Sequence, residues 1–350
     1  MTGAQAIPSD DATHQPLVTV LVPSYNGGKF LRQSLDSILA QTYANLEIIL
    51  LDDASSDDTP EIAREYRARI TYVRQPSNLG QFDNVNDGIA RASGEFISVF
   101  HADDIYLPQI VEREVAYLGA HPEVGAVFAS DIFIDAQSRE YSRLKLRAEV
   151  RGECPLDYAT VLNALLTHKN RFLVGPSAMV RAAVYRAVGT YRGARYQIAS
   201  DLEMWMRIAR RYPIAILEAH LMKYRHFHGN ASETYEYLRT DPEAYFVVMD
   251  DYLADGDRGV ATSKALLGHE AHRSEDRLMA AISHYIKGEL PAGRAALSAV
   301  RIGAIAGNPH VQRGRLIVLT LGMWCLLRIP RREWFAQRMF NRWHVKRPPG

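Results

Sequence analysis

The residues with the clearest chemical potential are two adjacent carboxylates, Asp103 and Asp104, which follow an apolar, β-prone segment from Phe96 to Phe100. A buried strand that ends in two acids brings oxygen ligands to the carboxyl edge of a sheet, where open α/β sheets bind their ligands. Such ligands suit Mg²⁺ or Mn²⁺ held jointly with substrate phosphates. Taken alone, the pattern is more typical of an Asp-rich turn that leads into a helix, so the surrounding chain decides its meaning.

The segments around this acid pair predict a mostly parallel sheet with flanking helices, because apolar strands alternate with amphipathic helical segments. A second acid pair, Asp52 and Asp53, ends another of these strands. The carboxyl ends of parallel strands share one edge, so we expect both pairs in one crevice. No G-x-G-x-x-G or G-x-x-x-x-G-K-[ST] sequence follows the strands, which argues against dinucleotide-dehydrogenase and P-loop proteins. The strands are predicted at 17–22, 46–51, 70–74 and 96–100.

The composition is that of a soluble globular protein, with 47% hydrophobic and 23% charged residues among 350. A formal net charge of +1 carries no nucleic-acid signature, so we expect no nucleic-acid partner. Two distant cysteines, Cys154 and Cys325, favour a reducing compartment. Residues 1–16 are polar and predict a disordered tail rather than a signal peptide. No apolar run reaches the ~18–20 residues of a membrane span, so a cytoplasmic protein is expected.

Three motifs, in this order and spacing, resemble those of the inverting family 2 glycosyltransferases of GT-A fold, in particular bacterial enzymes of polysaccharide biosynthesis. They are VTVLVPSYNGG at the first strand, the NLG tripeptide at 78–80 and GEFISVFHADDIYLP at 94–108. The resemblance covers residues 17–232. It implies a Rossmann-like sheet, a nucleotide-diphosphate sugar as donor and Mg²⁺ or Mn²⁺ as cofactor.

The resemblance also assigns residues to the donor site. Asp103 would lie by the ribose and the metal, and Asp104 would coordinate the metal that bridges the diphosphate. His101 stands where many members have Asp, and we expect it to pack near the site rather than to bind the metal. The residues placed at or near the nucleotide base are Pro23, Tyr25, Asp52 and Asp53.

The acceptor side is predicted from the segment SDLEMWMR at 200–207, which resembles the E-D…W-x-R motif of the family. The motif's Asp removes the proton of the acceptor hydroxyl, and the match falls on Asp201, with Ser200 in place of the usual Glu. Two alternatives stay open: either Ser200 or Asp201 serves only as a helix cap, or Glu203 is the base. Residues 172–180 resemble the family's strand under the acceptor, and the 189–196 loop is either an acceptor contact or an ordinary surface loop.

The segment KYRHFHGNAS at 223–232 resembles the family's Y-R-x-H-x-G-x-x-S ending. The resemblance implies that Arg225 closes over the diphosphate and that His228 adds a metal ligand. His226 competes with His228 for that place. A hairpin end with solvent-facing histidines is the alternative.

Residues 233–350 lack a strand pattern and predict a C-terminal helical region. Its segment 316–327 is apolar but too short to span a bilayer, and cations surround it against the single acid Glu333. The pattern predicts either an interfacial helix on an anionic leaflet or a terminal helix packed on the rest of the protein. The flanking cations are Arg313, Arg315, Arg328, Arg331, Arg332, Arg338, Arg342, Lys346 and Arg347.

Together these features predict a metal-dependent, inverting hexosyltransferase that uses a UDP-linked sugar. Its acceptor would be a saccharide or a lipid-linked saccharide in cell-surface polysaccharide biosynthesis, and the enzyme would lie in the cytoplasm or against the inner face of the cytoplasmic membrane. A sugar-phosphate nucleotidyltransferase is one alternative, but it needs an Arg/Lys-bearing glycine-rich loop where PSYNGGKF offers only Lys29. A non-catalytic scaffold is the other, and the joint presence of Asp103, Asp104 and Asp201 argues against it.

Overall fold

The computed structural model describes residues 15–226, 238–308, 311–329 and 334–339. In these residues nine strands form one sheet in the order β3-β2-β1-β4-β8-β6-β9-β5, with β7 paired to β6. The strands are β1 (Val18–Ser24), β2 (Leu46–Asp52), β3 (Thr71–Arg74), β4 (Phe96–Val99), β5 (Ile105–Tyr106), β6 (Ala126–Ile134), β7 (Glu140–Arg143), β8 (Met179–Arg181) and β9 (Ile214–Arg225).

The first four strands form the parallel half of the sheet. β1 pairs in parallel with β2 and β4, and β2 pairs in parallel with β3. Helices cover both faces, because β1 and β2 are apolar on both sides. α3 packs on one face, while α1 and α2 pack on the other. The first four helices are α1 (Gly28–Leu39), α2 (Thr59–Tyr66), α3 (Gln81–Arg91) and α4 (Ile110–Ala120).

The second half of the sheet is mixed. β8 is antiparallel to β4 and β6, whereas β9 is parallel to β6 and antiparallel to β5. The next helices are α5 (Tyr158–His168), α6 (Ala182–Val188), α7 (Gly193–Tyr196) and α8 (Ser200–Ala209). The mixed α/β fold class predicted from the sequence is therefore confirmed.

Two local predictions in this half were wrong. Of the strand expected at 172–180, only Met179–Arg181 forms, because Gly175–Ser177 makes a 3-10 turn around Pro176, which has no N–H for a ladder. The Ser177 hydroxyl donates a hydrogen bond to the Ala129 carbonyl at 3.0 Å, in place of a backbone N–H from a paired strand. The segment 137–152 is charged, a composition that predicts a loop, but it contains the exposed strand β7, which pairs with the end of β6.

The C-terminal part is helical throughout its described residues, as predicted. The first helix, α9, and the start of α10 share the core that underlies α5 and α8. The rest of α10 and the helices after it build a second core. The boundary predicted at residue 232 stays a prediction. Among the described residues, none of the helices combines the length and apolar character needed to cross a membrane. The helices are α9 (Ala244–Ala254), α10 (Ser263–Lys287), α11 (Leu290–Ser298), α12 (Ile302–Gly307) and α13 (Arg313–Leu326).

Candidate active site

A cleft of about 1300 Å³ opens at the carboxyl ends of β1, β2 and β4 and continues past β6 to α8. This volume exceeds the several hundred Å³ of a pocket for one drug-sized ligand. The cleft therefore has room for two substrates side by side. Its position agrees with the crevice predicted from the two acid pairs.

The loop after β1 forms one end of the cleft. Asn26 adopts a left-handed conformation with φ of 51°, which asparagine tolerates better than most residues. Its N–H donates to Ser55 Oγ at 2.9 Å, and its Oδ1 accepts from the Ser56 N–H at 2.8 Å, so this loop is fastened to the loop after β2. Pro23 and Tyr25 line the cleft here, and Tyr25 is 56% exposed at its mouth.

Asp52, at the end of β2, is fully buried behind the cleft and does not line it. Its Oδ1 accepts from the Ser55 N–H at 2.8 Å. Its Oδ2 accepts from the Tyr72 hydroxyl at 2.6 Å and from Arg74 at 3.0 Å. The carboxylate thus joins β2, β3 and the loop between β2 and α2.

Asp53 is also buried but lines the cleft. Its two oxygens accept from the N–H groups of Leu79 and Gly80, at 2.7 and 2.9 Å. Gly80 has a φ of 85°, a conformation that favours glycine and that turns its N–H toward Asp53. The NLG tripeptide is therefore held against the end of β2 by this one side chain.

The acid pair after β4 lies at the middle of the cleft. The ligating atoms of His101, Asp103 and Asp104 lie within 4.8 Å of one another. His101 and Asp103 line the cleft, and Asp104 is buried behind them. Asp104 Oδ1 accepts from the Arg225 N–H at 2.8 Å, whereas its Oδ2 has no hydrogen-bond partner among the described residues. Burial, and next the charge of Asp103, raises the pKa of Asp104 well above its usual range.

These three side chains form a donor set that fits a divalent cation. Burial lowers the pKa of His101, which favours the neutral imidazole that binds metals. The orphaned Oδ2 of Asp104 lacks the compensation that a buried carboxylate requires, and a cation would supply it. The structure thus adds His101, expected only as a packing residue, to the candidate ligands.

Arg225 holds the turn that carries the acid pair. Its Nε donates to the Asp103 carbonyl at 2.7 Å, and its two terminal nitrogens donate to the Asp135 carbonyl at 3.1 Å and to Gln33 Oε1 at 2.7 Å. These contacts are all with protein, and its assignment to the substrate stays a prediction. His228, expected as a metal ligand, lies outside the described residues.

Asp201 also lines the cleft, from the first turn of α8. The helix N-cap is Ala199, so neither Ser200 nor Asp201 occupies the cap position, and Asp201 Oδ1 accepts from the Leu202 N–H at 2.6 Å. Burial raises the pKa of Asp201 to about 6. A Cβ added to Gly175 would come within 3.1 Å of Asp201 Oδ2, so the 3-10 turn fits closely against this carboxylate only because glycine is there.

Glu203, the alternative base, is buried and does not line the cleft. Its oxygens pair with Arg192 at 3.2 Å and with Arg207 at 2.7 Å. Arg207 also donates to the Thr190 carbonyl at 2.9 Å. This network fastens α8 to the loop before it and leaves Asp201 as the carboxylate of α8 that faces the cleft.

Several cleft residues were not singled out by sequence reasoning. Asp131 on β6 and Tyr224 on β9 line the cleft, as do Glu243 and Tyr245 at the start of α9. A detectable signal existed for Asp131, because the polar pair Ser130-Asp131 interrupts an otherwise apolar strand. No local signal marks the start of α9, since only the tertiary fold brings it to the cleft.

Comparison with known proteins gives three consistent findings. The model of a family described as Glycosyl transferase family 2 matches residues 19–189. An uncharacterized glycosyltransferase of Rickettsia felis is 30% identical over 217 residues, which are 61% of this chain and 35% of that protein. The chain therefore spans about a third of that relative's length.

Solved structures share the fold. The 1–349 fragment of S. aureus TarS, in complex with UDP-GlcNAc, has a TM-score of 0.57 at 14% identity, covering 89% of this chain and 90% of that one. The mannosyltransferase PcManGT of Pyrobaculum calidifontis, in complex with GDP-Man and Mn²⁺, has a TM-score of 0.56 at 21% identity. The match covers 97% of this chain and 90% of that one. At these identities the likeness establishes the GT-A architecture.

Proposed function

We propose that this chain, which carries a glycosyltransferase family 2 domain, transfers a sugar from a nucleotide-diphosphate donor to a hydroxyl group with inversion at the anomeric carbon. One observation carries the proposal. The cleft brings together the acid pair after β4 and a separate carboxylate, Asp201 of α8, whose pKa is raised to about 6. A single displacement needs charge stabilisation on the leaving-group side and a base on the attacking side.

Asp103, Asp104 and His101 would hold Mg²⁺ or Mn²⁺ at the donor diphosphate. When bound, such an ion neutralises the charge that grows on the departing diphosphate. The nitrogen ligand favours Mn²⁺ over Mg²⁺, which prefers oxygen. PcManGT was solved with Mn²⁺ beside its nucleotide sugar, which agrees with this choice.

The remaining residues bind and orient the substrates. Asp53 and the NLG tripeptide form a rigid wall for the nucleotide base, with Pro23 and the exposed ring of Tyr25 beside them. Asp201 removes the proton of the acceptor hydroxyl as that oxygen attacks. A pKa near 6 suits this role, because the carboxylate is ionised at neutral pH yet basic enough to accept a proton.

The release of nucleoside diphosphate tests this function. Purified protein is incubated with UDP-linked and GDP-linked sugars, with Mn²⁺ or with a chelator. We expect slow release with at least one donor, faster release when saccharide acceptors are added, and loss of both with the chelator. Release that is equally fast without metal would contradict the assignment of the metal site. If nucleoside diphosphate is released from none of the nucleotide sugars, the proposed function is wrong.

We further propose that the acceptor is lipid-linked and that α13 rests on the inner face of the cytoplasmic membrane. One side of α13 is buried through Leu316 and Met323, while Val318, Leu321 and Trp324 are 69%, 55% and 52% exposed. Arg328 stacks on Trp324 at 3.6 Å. An exposed apolar face with cations at its ends suits an anionic lipid surface. A role in cell-surface polysaccharide synthesis would follow.

Sedimentation with vesicles tests this contact. Full-length protein, Leu321→Glu and a control, Val260→Glu, are mixed with phosphatidylglycerol-containing or purely zwitterionic vesicles at low and high salt. Val260 is exposed to a similar degree, 41%, but lies far along the chain from α13. We expect Leu321→Glu alone to stay in the supernatant, and salt to weaken binding of the wild type. Equal soluble recovery of all three proteins would show that α13 does not bind membrane.

A further inference from the structure

Asp131 is a buried carboxylate of the cleft wall with no part in the chemistry described so far. It lies on β6, is 2% exposed and lines the cleft. Its Oδ1 has no hydrogen-bond partner within the described part of the chain. Burying such an oxygen without a donor costs free energy. A bound ligand that donates a hydrogen bond to this oxygen would remove that cost.

The backbone of β6 directs Asp131 at the cleft. Val127 and Ala129 belong to the core beneath α4, and strict strand alternation would place Asp131 on that same face. The pairing of β6 with β9 is irregular on both sides of Ser130. The extra residues lie on β9, between Leu217 and Met222, so β6 itself keeps its alternation up to the end that borders the cleft. Asp131 and Phe133 accordingly line the cleft.

The charge of Asp131 reaches the groups at the centre of the cleft. Burial raises the pKa of Asp104, and the charges of Asp103 and Asp131 raise it further. Burial also raises the pKa of Tyr224. The negative charges of four carboxylates raise it further, namely those of Asp104, Asp103, Asp201 and Asp131. Asp131 therefore lies near Asp104, at the proposed diphosphate site, and near Tyr224, which also lines the cleft.

We infer that Asp131 binds a hydroxyl of the donor sugar and helps to select that sugar, an assignment that rests on the function proposed above. Its Oδ1 needs a hydrogen-bond donor, and a sugar ring offers several neutral ones. A phosphate is excluded because two anions repel each other in a buried site. The donor sugar is favoured over the acceptor because it is bonded to the diphosphate, beside Asp104. A site built to bind a hydroxyl discriminates strongly against analogues that lack it.

The test compares the binding of nucleotide sugars with that of free nucleoside diphosphates in Asp131→Ala and Asp131→Asn. The probes are UDP with UDP-GlcNAc, and GDP with GDP-mannose, each with Mn²⁺. We expect nucleoside diphosphate affinity to stay within about twofold of wild type, while nucleotide-sugar affinity falls about tenfold in Asp131→Ala. The loss should be smaller in Asp131→Asn, which keeps a carbonyl oxygen. Asp255→Asn, an exposed acid outside the cleft lining, is the control.

Deoxy analogues of the bound donor identify the hydroxyl. Wild type should lose affinity for one deoxy sugar, whereas Asp131→Ala should bind that analogue and the parent sugar equally. Equal nucleotide-sugar affinity in wild type and Asp131→Ala, or a loss confined to the KM of the acceptor, overturns the assignment. A wild-type protein that binds none of the nucleotides overturns the proposed function and this assignment with it, so the two failures are distinguishable.

Discussion

The acids at the two ends of the cleft differ in what their oxygens contact. Asp52 and Asp53, at the nucleotide end, have both carboxylate oxygens bonded to protein donors. Asp104 and Asp131 each have a buried oxygen that finds no partner in the described part of the chain. Burial raises the pKa of both, as it does that of Asp201. Fully bonded acids stiffen a structure, whereas orphaned ones are available to a ligand. The proposed function therefore makes the nucleotide end a rigid frame and assigns the chemistry to the acids with unpaired oxygens and to Asp201.

Removing the charge of Asp104 should have the largest effect on nucleotide binding. Asp104→Asn keeps the shape of the side chain but weakens the donor set, so we expect Mn²⁺-dependent binding of nucleoside diphosphate and turnover to fall at least about 100-fold. Isothermal titration with and without Mn²⁺ measures the binding. If that binding is unchanged, the metal does not sit at the Asp103–Asp104 pair.

Asp52 should behave in the opposite way. Because it binds Ser55, Tyr72 and Arg74 behind the cleft, Asp52→Asn should lower the free energy of unfolding by about 1–3 kcal/mol. Turnover per folded molecule should remain close to that of the wild type. Chemical denaturation and activity, measured on the same preparation, separate the two effects. If Asp52→Asn instead lost nucleotide binding at an unchanged free energy of unfolding, Asp52 would be a binding residue and the two groups of acids would not differ in role.

The pH dependence should carry the signature of Asp201. Since its pKa is about 6 in the folded protein, transfer should decline as the pH falls below about 6 and the base becomes protonated. Because the pKa of Asp201 is higher in the folded protein than its unfolded value of 3.8, protonation of this carboxyl stabilises the fold. That contribution to the free energy of unfolding is present at low pH and is lost as the pH rises through 6. The Tm of Asp201→Asn relative to wild type should therefore be higher at pH 8 than at pH 5. A pH-independent difference would contradict the raised pKa.

The smallest expected effect comes from the turn beneath Asp201. Gly175→Ala places a Cβ 3.1 Å from Asp201 Oδ2, so the carboxylate must shift by a few tenths of an ångström. We expect kcat to fall several-fold with the donor KM unchanged, because small displacements of a base weaken proton transfer. Gly119→Ala, on the exposed side of α4 with no atom near its added Cβ, is the matched control.

The same two ends differ in how well the sequence predicted them. The strands β1 to β4 and their acid pairs were predicted closely, because apolar runs ending in acids are local signals. The acceptor side depends on long-range pairing. Asp131 reaches the cleft only because β6 pairs with β8 and β9 within the sheet, and the packing of α9 on α8 brings Tyr245 to the cleft wall. Neither feature leaves a periodic pattern in the residues concerned.

The central claim is that binding and proton removal are separate tasks of separate acids, and Asp201→Asn tests it most directly. Nucleoside diphosphate affinity and single-turnover transfer are measured on wild type and on this variant at pH 7.5. The account predicts unchanged affinity and a transfer rate lower by about 10²–10⁴-fold, the usual contribution of a general base. Near-normal transfer, or a loss of affinity as large as the loss of rate, would contradict it.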